Sequence, residues 1–159
     1  MQKIVALLKR EGHIAPHREI AKFHDLLWAL HEDAGPSFIC FDTECIYGPD
    51  DYKSIIEIFA RASGSSNHFE ILATHFEEDD QTAGIRIRVN GKEFAGDWEQ
   101  PSDWVSEEFC NIIQQFEKVL KGRLVDWPQG QEYTAFYVED ESLAKEMAEL
   151  FHDYYGEDE

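Results

Sequence analysis

The stretch Ile85-Arg86-Ile87-Arg88-Val89-Asn90-Gly91 restricts the fold more than any other part of this chain. Its strict alternation puts three aliphatic side chains on one face of a strand and both arginines on the other. Asn90-Gly91 then supplies the positive φ angles that a two-residue type I′ turn needs at both positions. A return strand is predicted over Lys92 to about Trp98, and a preceding strand over His68 to Glu77, across the loop EEDDQTAG. A hairpin with one apolar face must bury that face against other elements.

Helical periodicity supplies those elements. Gln2 to Arg10 brings Ile4, Leu7 and Leu8 to one side. Ile20, Phe23, Leu27 and Leu30 repeat at helical spacing after Pro16 and stop at Gly35-Pro36. Ser37 to Phe41 reads as a buried strand. Asp50 and Asp51 are placed to cap a helix carrying Tyr52, Ile55, Ile56 and Phe59. Ser102 or Asp103 is the expected cap of a helix with Val105, Phe109, Ile112, Ile113, Phe116 and Leu120 inward. Strands over Arg123 to Trp127 and Glu132 to Val138, joined by Pro128-Gln129-Gly130, precede a last helix aligning Leu143, Met147, Leu150, Phe151 and Tyr154.

The order α-α-β-α-β-β-β-α-β-β-α favours hairpins over βαβ crossovers. The fold class is therefore α+β, a mainly antiparallel sheet with helices packed on one face, in a single domain over 1–159. Ser63–Asn67 reads as a loop within it, and residues 156–159 as a short acidic tail.

Charge is distributed unevenly. The first 66 residues hold seven basic and ten acidic side chains, net −3, whereas the other 93 hold seven and 23, net −16. Such an excess strains a compact state unless it faces something positive. It excludes nucleic acid and anionic membrane as direct ligands, since phosphate recognition needs Lys and Arg. Eleven Phe, six Tyr and four Trp exclude a disordered acidic chain. Cys40, Cys45 and Cys110 are an odd set without CxxC spacing, which fits reduced thiols in a cytoplasmic setting. The apolar run Ile4 to Leu8 is too short for a signal peptide, and nothing approaches a membrane span.

No nucleotide, zinc-protease, nucleophile-elbow or EF-hand motif occurs. Asp42 and Glu44 at a strand end are the one acid/base or metal pair to weigh, and no third group anchors them. His17, His24 and His31 recur every seven residues, a step of about 10.5 Å along a helix, too wide for one zinc ion. His13 and His17 are separated by Pro16. No catalytic group, metal or cofactor is therefore expected.

What remains is the acidic surface. Glu77-Glu78-Asp79-Asp80 forms a loop run; Asp97-Trp98-Glu99 and Asp103-Trp104 with Glu107 and Glu108 bracket the hairpin exit and the next helix. Trp127 beside Asp126 repeats the pairing of tryptophan with carboxylate. Aromatic anchors with flanking charge concentrate binding energy at protein interfaces. The expected partner is a basic protein, with a homodimer left open.

The stretch IRIRVNGKEFAGDWEQPSDWVSEEFCNIIQQFEKVL, a hairpin followed by an acidic, tryptophan-marked helix entry, resembles the immunity proteins of bacterial polymorphic-toxin and contact-dependent inhibition systems. The likeness covers roughly the C-terminal half and lies in architecture and charge. It implies an inhibitor that occludes a cognate basic toxin, often a nuclease. The alternatives are a cytoplasmic adaptor module and a metal-dependent enzyme using Asp42 and Glu44.

Overall fold

The computed structural model describes residues 1–127 and 131–156. The expected turn at Pro128-Gln129-Gly130 and positions 157–159 of the acidic tail lie outside them. The helices are α1 (Gln2–Arg10), α2 (Phe23–Asp33), α3 (Asp51–Ser63), α4 (Glu107–Glu117) and α5 (Glu141–Gly156). The strands are β1 (Phe38–Asp42), β2 (Phe69–Glu77), β3 (Thr82–Val89), β4 (Lys92–Glu99), β5 (Arg123–Asp126) and β6 (Glu132–Val138). The α+β order read from the sequence is the order found.

All strand pairs are antiparallel, but they divide into two sheets, β2-β3-β4 and β1-β6-β5. Asn90 and Gly91 take φ of 50° and 85°, the turn that the sequence demanded. The alternation in β3 buries Ile85, Ile87 and Val89, which pack with Phe94 and Trp98 on α4 and α3, so this sheet carries helices on one face. The other sheet is covered on both. Ile39, Ala135 and Tyr137 face the α3–α4 core, while Val125, Phe136 and Val138 face α1, α2 and α5. β6 is central, and its last five residues are all buried, as a strand walled on both sides must be.

Local expectations shift in three places. The cap of α4 is Ser106, whose Oγ accepts from the Phe109 N–H at 3.0 Å, not Ser102 or Asp103. Residues 103–105 are extended instead, because Asp103 and Val105 hydrogen-bond to Ile46 and Thr43. In α2 the buried set is Leu26, Ala29 and Leu30, with Phe23 and Leu27 at its margins. That helix begins at Phe23, so His17 lies outside it and shares no face with His24 and His31. The segment after α3 is a 3₁₀ turn over Gly64–Ser66, tied inward by buried Asn67. Asn67 donates to the Tyr137 hydroxyl at 2.7 Å and accepts from the Lys121 N–H at 2.9 Å.

Candidate functional site

One end of the molecule gathers thirteen of the chain's 33 acidic residues. The β2–β3 tip carries Glu77, Glu78, Asp79 and Asp80, and the Gln100 N–H ties it to β4 through the Gln81 carbonyl at 2.6 Å. In register, Glu77, Thr82 and Glu99 lie side by side across the sheet, and His75, Gly84 and Asp97 form the next row. A Cβ at Gly84 would collide with both His75 and Asp97, so the glycine lets these two meet over the middle strand, 3.5 Å apart.

The chain leaving β4 then crosses the segment after β1. Ile46 N–H donates to the Asp103 carbonyl at 2.8 Å, Val105 N–H to the Thr43 carbonyl at 2.7 Å, and Glu44 bridges to Trp104. Ser106 N–H donates to the Tyr52 hydroxyl at 3.1 Å, which brings the N-termini of α3 and α4 together. Asp50, Asp51, Glu107 and Glu108 sit at those two N-termini, where the helix dipoles favour negative charge. Asp51 also accepts from the Tyr47 and Gly48 N–H groups, each at 2.7 Å, and so pins the preceding turn.

Among the described residues, no ion pair involves Asp42, Glu44, Asp50, Asp51, Glu77, Glu78, Asp79, Asp80, Glu99, Asp103, Glu107 or Glu108. The cations pair elsewhere: Arg18 with Glu32 and Asp33, Arg88 with Glu70 and Glu93, Arg10 with Glu146, Lys53 with Glu57. This end is thus a field of uncompensated carboxylates.

Two aromatic side chains stand in that field. Tyr47 is 71% exposed and Trp104 47%. Local desolvation of the Tyr47 hydroxyl, with the negative charges of Asp103, Glu44 and Asp42 around it, raises its pKa above that of an ordinary phenol. Beneath them lies a buried amide. Gln100 Oε1 accepts from the Tyr52 hydroxyl at 2.6 Å and the Trp98 indole N–H at 3.1 Å. Its Nε2 donates to the Ser102 and Trp104 carbonyls at 2.5 and 2.8 Å. Trp104 is therefore held on a fixed loop.

Of the eleven residues singled out in the sequence, ten are at the surface of this end. The correction is Trp98, 5% exposed and stacked edge-on against Tyr52 at 5.0 Å; it is core. Trp127 is core as well, 1% exposed against Phe151. Tyr47 was not visible in the sequence, because its exposure follows from the pairing of 43–46 with 103–105. Trp28, 60% exposed, lies on α2 away from that helix's buried residues Leu26, Ala29 and Leu30.

Asp42 and Glu44 each accept a hydrogen bond close to the end of β1. Asp42 Oδ1 accepts from the Glu44 N–H at 2.9 Å, and the Glu44 carboxylate accepts from the Gln131 side-chain amide at 2.7 Å. A different cluster appears where α2 meets β1 and β6. His31 Nε2, Cys40 Sγ and Glu132 Oε2 lie mutually 3.7–4.0 Å apart. Burial and the charge of Glu132 push the Cys40 thiol up to about 12, so the free thiol is protonated and donates to that carboxylate. Burial, joined by nearby carboxylates, also raises Cys45 and Cys110, which leaves neither thiol activated.

No helix among the described residues is long and apolar enough to cross a membrane. No protein-family model matches the chain, and no curated protein or solved structure matches it.

Proposed function

We propose that this chain is a protein-binding inhibitor of the immunity type, which neutralises a basic toxin domain by occluding its cleft with the Tyr47–Trp104 end. The observation that carries the reading is the coincidence of two exposed aromatic side chains with twelve carboxylates that enter no ion pair among the described residues. An aromatic anchor fixed by a buried hydrogen-bond network loses little entropy on binding. The surrounding carboxylates repel acidic competitors and steer a basic partner, which raises association above the ~10⁵–10⁶ M⁻¹s⁻¹ of uncharged pairs. A nuclease cleft, lined with cations for phosphate, is the complementary surface.

The test uses the full chain as bait in host lysate, beside a variant carrying Glu78→Lys, Asp79→Lys, Asp97→Lys and Glu107→Lys. The reading predicts one basic protein retained stoichiometrically by the wild type, lost by the variant, and inactive while bound. Equal retention by both baits would refute it.

A further inference from the structure

We propose that His31, Cys40 and Glu132 form a binding site for one divalent cation of the zinc class. The three residues are separated by 9 and 92 positions in the chain, yet the fold brings one donor atom from each within 3.7–4.0 Å of the others. Zinc bonds of about 2.3 Å to sulfur and roughly 2.0–2.2 Å to nitrogen or oxygen put donors some 3.3–3.6 Å apart in a tetrahedral shell. The observed spacings exceed that by a few tenths of an ångström, a gap that side-chain torsions can close.

The donor set selects the ion. One thiolate, one imidazole and one carboxylate suit zinc and cobalt, whereas magnesium and calcium require oxygen shells. The strands fix two of the ligands, since Cys40 lies on β1 and Glu132 pairs in register with Asp42 on the neighbouring strand. The His31 ring packs edge-on against Phe38, with centroids 6.1 Å apart, which orients its imidazole. Charge favours occupancy too, because Asp42 adds a further carboxylate directly across from Glu132 in the strand register. His31 is 43% and Glu132 37% exposed at the side chain, so solvent reaches the fourth coordination position. On binding, the Cys40 S–H bond breaks, a sulfur–metal bond forms, and the proton leaves to solvent. The site joins α2 to the β1-β6-β5 sheet and shares no ligand with the Tyr47–Trp104 surface.

The experiment titrates chelator-treated, reduced protein with Co(II), followed by Zn(II) competition. The expected result is a thiolate-to-cobalt charge-transfer band that saturates at one equivalent and disappears on adding Zn(II). Cys40→Ser abolishes the band, while the double variant Cys45→Ser, Cys110→Ser keeps it. Supporting groups around a metal ligand are alone worth about 10–100-fold in affinity, so losing the ligand in His31→Ala weakens cobalt binding by at least about tenfold. His31 is exposed, so this variant tests the site even where Cys40→Ser fails to fold. No band in the wild type, a band that survives Cys40→Ser, or binding unchanged in His31→Ala would each overturn the proposal.

Discussion

The Ile46 N–H donates to the Asp103 carbonyl at 2.8 Å, and this bond joins two segments 57 positions apart in the chain. Each partner is followed by an exposed aromatic residue, Tyr47 on one segment and Trp104 on the other. The candidate surface is therefore a product of tertiary pairing. Neither segment would present its side chain in this way alone.

Tyr47→Ala and Trp104→Ala should leave the fold nearly untouched, since exposed substitutions usually change stability by no more than about 0.5 kcal/mol. Binding should suffer far more. Interface anchors of this type cost about 2 kcal/mol or more on truncation, roughly a thirtyfold loss of affinity. Thermal melts beside titration calorimetry with the captured partner check both halves. Unchanged affinity in both variants would remove this end from the interface.

Trp98→Ala should behave in the opposite way. Its ring is packed on Tyr52 and Phe109, with centroids 5.0 and 6.1 Å away, and truncating a buried Trp costs about 3–5 kcal/mol. Denaturant unfolding measures that loss. A Trp98→Ala protein as stable as wild type would show that the ring is not core.

Gln100→Leu keeps the volume and deletes the polar hub. The Tyr52 hydroxyl and Trp98 indole then lose their acceptor, and each buried group left unsatisfied costs about 1–3 kcal/mol. Residues 102–104 also lose their anchor, so partner dissociation should quicken even at temperatures where the variant stays folded. Stopped-flow dissociation rates test this, and rates equal to wild type would contradict it.

His13 sets a pH dependence. Burial against Phe136, whose ring centroid is 4.9 Å away, holds its pKa below the usual 6.5, although the Glu11 charge partly opposes this. The unfolded chain therefore binds the proton more readily, and stability rises with pH across this range. The contribution is complete above about pH 6.5 and shrinks as pH falls toward the lower folded value. His13→Leu removes the slope. Urea midpoints of both proteins at about pH 7.5 and about pH 5.5 should diverge from each other only at the lower pH; parallel shifts would count against the assignment.

The sequence was most readable where periodicity is local. The β3–β4 hairpin, the faces of α3 and α4 and the limits of β6 all follow from spacing and turn chemistry. The tryptophans show how strand alternation decides burial. Trp98 lies between Asp97 and Glu99, and in a strand such neighbours point to the opposite face, so flanking carboxylates mark an inward ring. Trp127, following Asp126, obeys the same rule. Trp104 follows the end of β4, where alternation no longer applies, and of the three tryptophans flanked by carboxylates it is the one that stays outside. The split into two sheets was hidden because β1 pairs with β6, about a hundred positions away, and long-range pairing leaves no local trace. The His31–Cys40–Glu132 cluster was concealed for the same reason.

The most direct measurement titrates the activity of the captured basic partner with this chain, wild type and Tyr47→Ala/Trp104→Ala side by side. Activity should fall linearly to zero at one equivalent of wild type and persist at one equivalent of the double variant. Full activity in a partner saturated with the wild-type chain would contradict inhibition and leave an adaptor in its place.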